Sequence, residues 1–209
     1  MKFDIKKIID DIIKEYEISA EVIESFCLNI NTSQQYLIKL LKQLKSHKDL
    51  RFTILTDLFA ADFPSKKERF EIVYNLLSLK NNTRLIIKIY TSEKDIVPSV
   101  ADVFDSSVWF EREIFDMFGV KFKNNPDFRR ILTDYGFSGH PLRKDFPLSG
   151  YVQVRYDEKT QKVINEPVKL QQDFRDFDFM SPWQSKDSGP AELLRPTLPG
   201  DEKVAKNKV

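Results

Sequence analysis

Residues 69–91 read RFEIVYNLLSLKNNTRLIIKIYT, and this stretch decides the fold. Its first half alternates, and the apolar side chains that share one face are Phe70, Ile72, Tyr74 and Leu76. Such alternation predicts a half-buried strand. A second β-rich segment, 84–91, follows the run Lys-Asn-Asn-Thr at 80–83, which suits a turn because asparagine tolerates positive φ. The stretch therefore predicts an antiparallel hairpin.

The segments before this hairpin predict further strands and the helices that cover them. Apolar residues at helical spacing indicate an amphipathic helix over 4–17, while 22–30 alternates like a strand and 50–59 is β-rich. Thr32 and Gln35 resemble a capping box. The apolar stripe of the helix that it would start is Leu37, Leu40, Leu41 and Leu44. We therefore expect a two-layer α+β fold, with a mostly antiparallel sheet of about four strands and helices on one face.

Glycine and proline divide the chain. All six glycines lie at or after Gly119, and eight of the ten prolines lie at or after Pro126. These residues favour turns and extended chain. We therefore expect an α+β domain over 1–120, a turn-rich signature region packed on it over 121–156, and an extended Pro/Gly-rich C-terminal segment over 157–209 that binds a partner.

Composition excludes several classes of protein. The chain has 33 basic and 32 acidic residues, a net charge of +1, which argues against a nucleic-acid partner. One cysteine, Cys27, can form neither an internal disulfide nor an iron–sulfur site, and no G-x-G-x-x-G dinucleotide motif is present. No run approaches the ~20 apolar residues that cross a bilayer. The charged N-terminus resembles neither a signal nor a transit peptide. We expect no direct membrane insertion.

The next predicted helix runs over 99–118, after Pro98, and ends at Gly119. Helical spacing puts Glu111 near the middle of its apolar face, where a carboxylate is costly unless it is paired. Three interpretations are open: Glu111 is a catalytic acid, it pairs with a buried arginine, or the helix is less buried there. The candidate arginines are Arg129, Arg130 and Arg143.

Trp109 breaks the same pattern in the opposite sense. It falls on the polar face of the helix, together with charged residues that include Arg112, Glu113 and Asp116. An exposed tryptophan indicates that something packs over it, either the C-terminal segment of this chain or another protein. A lone exposed aromatic side chain is the alternative.

Residues 136–147, GFSGHPLRKDFP, crowd reactive side chains together. One hypothesis is a hydrolase that uses Ser138, His140 and Asp145, although catalytic triads normally come from distant segments. The run G-F-S-G-H also lacks the second glycine of a nucleophile elbow. Another hypothesis is an RNA-binding module, and its basic residues would be Arg129, Arg130, Arg143 and Lys144. We prefer a proline-braced connector in which His140 forms a structural hydrogen bond and Arg143, Lys144 and Asp145 offer charges to neighbours.

The C-terminal segment contains too many large apolar groups for a free tail. Residues 151–156 and 162–170 read as extended pieces. After them come four aromatic residues, Phe174, Phe177, Phe179 and Trp183. Aromatic side chains on extended chain are typical interface anchors, so we expect them to bind a partner. Packing back on their own domain is the alternative.

The runs WFEREIFDMFGVKF (109–122), NPDFRRILTDYGF (125–137) and GHPLRKDFPLSGY (139–151) resemble the 30-kilodalton subunit family, or C-type subunit, of respiratory complex I, the proton-pumping NADH:quinone oxidoreductase. The residues that match the family signature are Glu111, Arg112, Glu113, Asp116, Met117, Phe118, Arg129, Arg130, Ile131 and Leu132. One departure is Asn125, which stands where the family usually has His or Lys.

The resemblance implies a non-catalytic structural subunit of the hydrophilic arm. Its partners would be the large quinone-pocket subunit, known as the D type, and neighbouring iron–sulfur subunits. FMN, iron–sulfur clusters and quinone would be bound by other subunits and none by this chain. The location would be the cytoplasmic face of a bacterial inner membrane, or the matrix face of the mitochondrial one. The alternative is the equivalent subunit of a membrane-bound hydrogenase-type complex.

We expect signature or interface roles for one set of residues: Trp109, Glu111, Arg112, Glu113, Asp116, Arg129, Arg130, His140, Arg143, Lys144, Asp145, Phe174, Phe177, Phe179 and Trp183.

Overall fold

The computed structural model describes residues 5–24 and 27–170. The helices are α1 (Ile5–Glu15), α2 (Gln34–Ser46) and α3 (Ser107–Phe118). The strands are β1 (Ala20–Glu24), β2 (Leu28–Thr32), β3 (Ile54–Asp62), β4 (Phe70–Ser78), β5 (Thr83–Thr91), β6 (Ile96–Pro98), β7 (Lys121–Lys123), β8 (Val152–Asp157) and β9 (Lys162–Pro167). The chain divides into two compact units, Met1–Val168 and Lys169–Val209, and these elements all belong to the first.

The main sheet has five strands in the order β1-β2-β5-β4-β3. Neighbouring strands are antiparallel except for β2 and β5, which are parallel. The α+β class and the mostly antiparallel sheet are thus confirmed. The sheet has one strand more than expected because 22–30 is not a single strand: Val22 on β1 pairs with Ile30 on β2. Period-two alternation hides this reversal because cross-strand partners lie on the same face.

The hairpin of 69–91 forms as predicted. Phe70 pairs with Thr91 and Ser78 with Thr83, so β4 and β5 are in register over their whole length. Asn82, in the turn, has φ of 48°, the left-handed conformation that asparagine tolerates. The inward side chains of β4 are almost fully buried. This hairpin forms the middle of the sheet, between β2 and β3.

Helix α2 covers one face of the sheet with the predicted leucine stripe, Leu37, Leu40, Leu41 and Leu44, all fully buried. The capping box is wrong. Thr32 is the last residue of β2, and its hydroxyl donates to the Ser19 carbonyl at 2.9 Å. Ser33 is the N-cap, without a side-chain cap bond. The strand predicted over 50–59 begins at Ile54, and buried Leu50 precedes it.

Helix α3 is shorter than predicted. Pro98 ends β6, which pairs in parallel with β7, and α3 begins only at Ser107. The residues between them form turns in which Val103 N–H and Phe104 N–H both donate to the Val100 carbonyl, each at 2.9 Å. Apolar side chains at helical spacing are buried equally well by such turns, so the spacing alone gave the wrong boundary. The predicted end is confirmed, because Gly119 has φ of 79°.

Strands β8 and β9 form a separate antiparallel hairpin, where the sequence predicted two extended pieces. The boundary predicted between residues 156 and 157 falls within β8. The rest of the predicted C-terminal segment, from residue 171 onward, lies outside the described residues. It includes Phe174, Phe177, Phe179 and Trp183. Across 5–24 and 27–170, no helix combines the length and the apolar character needed to span a membrane.

Candidate functional site

Helix α3 packs against β3 and β7 and carries the most unusual polar residues of the fold. Glu111, Arg112 and Asp116 are all buried, with exposed fractions of 0%, 7% and 0%. The position of Glu111 agrees with the helical spacing. The polar face predicted for Arg112 and Asp116 is wrong, because the segment after β7 folds over that side of the helix and bonds to both residues.

Among residues 5–24 and 27–170, no arginine pairs with Glu111, contrary to one of the expected arrangements. Its Oε1 accepts the backbone N–H of Val100 at 2.8 Å, and its Oε2 accepts Nδ2 of Asn125 at 2.7 Å. Burial raises the pKa of Glu111, although the hydrogen bonds from Val100 and Asn125 act in the opposite direction. The carboxyl group therefore holds the turn before α3 and the segment after β7 to the same helix.

On α3, a buried carboxylate that does pair with an arginine is Asp116. Its Oδ2 accepts the backbone N–H groups of Ile131, Leu132 and Thr133 at 3.1, 2.8 and 2.9 Å. Its Oδ1 contacts Arg130 Nη1 at 2.7 Å and the Thr133 hydroxyl at 2.5 Å. Burial raises the pKa of Asp116, but the bonds from Thr133, Leu132 and Arg130 outweigh burial and hold it well below its usual range.

Arg112 connects the helix to the backbone of the same segment. Its Nε donates to the Arg129 carbonyl at 2.9 Å and Nη2 to the Arg130 carbonyl at 3.3 Å, while Nη1 pairs with Asp127 at 3.2 Å. The guanidinium also lies over the Trp109 ring, 5.2 Å from its centroid, a cation–π geometry. Trp109 nevertheless stays 60% exposed.

Arg129 and Glu113 lie on the surface. The guanidinium of Arg129 is 73% exposed and pairs with Asp127 at 2.7 Å. Glu113 is exposed on α3.

His140 and Gly119 fit closely at the end of α3. His140 Nδ1 lies 3.0 Å from the Asp116 carbonyl oxygen, and burial lowers the pKa of the imidazole. A Cβ atom at Gly119 would lie 2.6 Å from His140 Nε2 and 2.7 Å from Arg143 Nη2. Only glycine leaves room for this approach at a positive φ. The expectation of a structural hydrogen bond at His140 agrees with this geometry.

A charge network that the sequence did not reveal joins the sheet to the loop after residue 139. Arg69 pairs with Asp62 at 2.6 Å and with Asp145 at 3.0 Å, and it also contacts Glu93. Asp62 Oδ2 accepts the Lys144 backbone N–H at 2.8 Å. The Arg69 hydrogen bond lowers the pKa of Asp62. The opposite charges of Asp62 and Arg69 are visible in the sequence. Their partners in the loop lie more than 70 residues later, so the sequence does not indicate that the loop belongs to this network.

The geometry does not support a hydrolase at 136–147. His140 Nδ1 faces the Asp116 carbonyl and the Asp145 carboxylate binds Arg69, so neither side chain is oriented for a triad with Ser138. Across 5–24 and 27–170, no group of three or more His, Cys, Asp or Glu side chains is arranged to hold a metal ion.

Large apolar side chains are exposed in this region alongside charged ones. Five large side chains are at least half exposed around α3 and the loops that follow it: Trp109 at 60%, Leu132 at 63%, Tyr135 at 90%, Leu142 at 52% and Leu148 at 92%. We call these five residues the signature surface. Such a concentration of apolar groups is typical of a protein–protein contact.

Comparison with known proteins gives this region a context. Residues 30–152, which include α3 and the signature surface, match the family model described as the respiratory-chain NADH dehydrogenase 30 Kd subunit. A Rickettsia bellii protein named as the C-type subunit of NADH-quinone oxidoreductase is 59% identical over 169 residues, which cover 81% of this chain and 82% of that protein. A Reclinomonas americana protein named NADH-ubiquinone oxidoreductase subunit 9 is 55% identical over 171 residues, which cover 82% and 81% respectively.

A solved structure has a similar fold. One chain of the membrane-bound sulfane sulfur reductase, described as an archaeal respiratory membrane complex, superposes with a TM-score of 0.58. It is 25% identical in sequence, and the match covers 76% of this chain and 98% of that one.

The two oxygens of Glu111 allow a first test. Glu111→Gln should lower the free energy of unfolding by about 1–3 kcal/mol, because an amide offers one acceptor oxygen and leaves either Val100 N–H or Asn125 Nδ2 without a partner. Glu113→Gln, the same change at an exposed position, should stay within about 0.5 kcal/mol. Urea denaturation of both variants measures the difference, and equal midpoints would contradict the buried role of Glu111.

The low pKa of Asp116 gives a pH-dependent test. A carboxylate with a depressed folded pKa stabilises the fold above its unfolded pKa of about 3.9, and this contribution is lost as pH falls through the folded value. Asp116→Asn should therefore melt well below wild type at pH 7, and the gap should narrow below pH ~4. The control is Asp11→Asn on the exposed side of α1. A gap that stays constant down to pH ~2 would disprove the ionic contribution.

Gly119 gives a steric test. Gly119→Ala should cost roughly 1–3 kcal/mol from the left-handed backbone and more from the contact with His140. In the double variant Gly119→Ala/His140→Ala the part of the clash that His140 causes disappears, while the contact with Arg143 remains, so the two changes should cost less together than the sum of the single changes. Gly136→Ala is the matched control, since a Cβ there meets nothing within 4 Å. Additive losses in thermal melts would rule out the proposed clash.

Proposed function

This chain belongs to the 30 kDa subunit family of the respiratory-chain NADH dehydrogenase, and we propose that it acts as a non-catalytic docking subunit. It is a peripheral subunit of NADH-quinone oxidoreductase, and the enzyme activity belongs to the whole complex. That complex passes electrons from NADH to quinone. The role of this subunit is to hold neighbouring subunits in the arrangement that electron transfer requires.

The observation that carries this proposal is the separation of charge and apolar groups around α3. The carboxylates of Glu111 and Asp116 point inward and bond to their own chain, as does the guanidinium of Arg130. The signature surface points outward with its large side chains at least half exposed. A rigid charged framework behind exposed apolar side chains supports assembly rather than chemistry, because the carboxylates of Glu111 and Asp116 are fully buried and have no access to a substrate.

The hairpin β8–β9 adds to this docking region. Its side chains Val152, Val154, Tyr156 and Val163 are between 57% and 66% exposed. The register places them on one face, with Tyr156 opposite Val163, while Gln153 and Arg155 on the other face contact Glu166. A two-stranded hairpin is marginally stable alone in water. We propose that its apolar face is covered by the same neighbour.

The partner we propose is the large subunit that helps to form the quinone pocket, with neighbouring iron–sulfur subunits nearby. The residues expected to reach it are those of the signature surface, Lys144, and the aromatic residues after 170. FMN, iron–sulfur clusters and quinone belong to other subunits in this proposal. The proposed location is the cytoplasmic face of a bacterial inner membrane, or the matrix face of a mitochondrial one.

A second candidate is the equivalent subunit of a related membrane-bound complex. It is supported by the shared fold with a chain of the archaeal sulfane sulfur reductase. Identities of 59% and 55% to proteins named for NADH-quinone and NADH-ubiquinone oxidoreductase favour the first candidate.

Assembly of the complex tests the docking role. In Leu132→Ser/Tyr135→Ser the subunit should be lost from the purified complex several-fold, because two large exposed apolar contacts are removed, and quinone reduction should fall in proportion. The control Leu79→Ser changes a side chain that is 67% exposed in the turn after β4. Quantitative mass spectrometry of subunit content and NADH:quinone activity are the measurements. Full subunit content with lost activity would indicate chemistry at this surface, and wild-type values of both would exclude it as an interface.

A further inference from the structure

The loop over residues 139–147 is fixed to the domain at successive positions. His140 Nδ1 contacts the Asp116 carbonyl at 3.0 Å, and the Leu142 backbone N–H donates to the Met117 carbonyl at 3.1 Å. The Lys144 backbone N–H donates to Asp62 at 2.8 Å. A loop held in this way loses little conformational entropy when it binds, so it is preorganised for a partner.

The polar side chains of this loop bond inward, with one exception. Arg143 Nε donates to the Phe118 carbonyl at 2.6 Å, and its guanidinium lies 5.3 Å from the centroid of the Phe70 ring. Asp145 binds Arg69 at 3.0 Å. The exception is Lys144, which is exposed and whose ammonium forms no ion pair with residues 5–24 or 27–170.

Two leucines of the signature surface flank this ammonium in sequence. Leu142 is 52% exposed and Leu148 is 92% exposed. The backbone at residues 142 and 144 is bonded to the domain while both side chains are exposed, so the loop presents apolar and cationic groups together. A partner that covers this loop would also remove water from the ammonium, and an unpaired charge is costly to desolvate.

We infer that Lys144 is the charged centre of the docking surface and that it binds a carboxylate set among apolar side chains on a neighbouring subunit. This inference rests on the proposed docking function and specifies the chemistry of the partner. The geometry assigns Arg69 a positioning role, because it holds Asp145 and Asp62 and thereby the backbone of Lys144.

A protein carboxylate fits this arrangement better than an anionic lipid headgroup does. A single lysine near a charged membrane surface contributes little to binding, and lipid recognition normally uses clusters of basic residues. Here the neighbouring Arg143 and Asp145 are bonded to the domain, although the Asp145 side chain stays 60% exposed, and the exposed Leu142 and Leu148 lie on either side in sequence. A rim charge beside apolar contacts is typical of a specific protein interface.

The intact complex tests the inference. Lys144→Glu should weaken retention of the subunit at least about tenfold at 0.15 M salt, as expected for repulsion at a paired carboxylate. Lys144→Met should weaken it less and flatten the dependence on salt, whereas Lys144→Arg should stay near wild type. The control is Lys48→Glu, an exposed charge reversal in the turn after α2. Subunit content across a salt series is the measurement.

The positioning role of Arg69 has its own readout. Arg69→Met should weaken retention, and Lys144→Glu should then add less than it does alone, provided that circular dichroism shows a folded chain. Full additivity would remove the positioning role.

Three outcomes would contradict the inference about Lys144, and they also distinguish its failure from a failure of the proposed docking function. If Lys144→Glu behaves like Lys48→Glu while Leu132→Ser/Tyr135→Ser still releases the subunit, the inference fails and the docking function stands. If neither set of variants releases the subunit, both fail. If Lys144→Glu leaves the complex intact but abolishes binding of the full chain to phosphatidylglycerol vesicles, the occupant is a lipid headgroup and the inference is wrong.

Discussion

The carboxylate of Asp116 is the interaction on which the rest of the region depends. It is fully buried, and it accepts three consecutive backbone N–H groups from 131–133 together with Arg130 and Thr133. Backbone donors in an irregular segment need partners as much as those in a strand do. Because one ionised group satisfies them all, a segment without helix or strand keeps a defined path across α3.

Other polar anchors extend this principle outward from the helix. Glu111 holds the segments on either side of it, Arg112 holds the backbone at 129 and 130, and the Asp62–Arg69 pair holds the loop around Lys144. Each anchor is a charged group with hydrogen bonds that compensate its burial. With the polar groups bonded inward, the large apolar groups remain on the outside. The proposed docking surface is therefore a consequence of the framework behind it.

The inward bonding of the polar groups explains why the stretch 136–147 resembles an active site in sequence but does not have the geometry of one. Serine, histidine, arginine, lysine and aspartate lie within twelve positions, which resembles a catalytic loop. In three dimensions His140 and Asp145 bond to different parts of the domain, the end of α3 and the strand pair β3–β4. The nearness of these residues in sequence resembled a catalytic site, whereas their contacts show that they fix the loop to the domain.

The sequence by itself determined the α+β class, the central hairpin of β4 and β5, the buried stripe of α2, the end of α3 at Gly119 and the place of Glu111 on the apolar face of α3. These features follow from local periodicity and from the backbone freedom of asparagine and glycine. Only the tertiary structure decided the fifth strand, the start of α3, the partners of Glu111, the burial of Asp116 and the Arg69 network. These depend on contacts between residues far apart in the chain, such as Asp62 with Lys144, and on a segment that covers the apparently polar side of α3. Local periodicity contains no information about such contacts, because it records which side of an element is apolar and not what packs against the other.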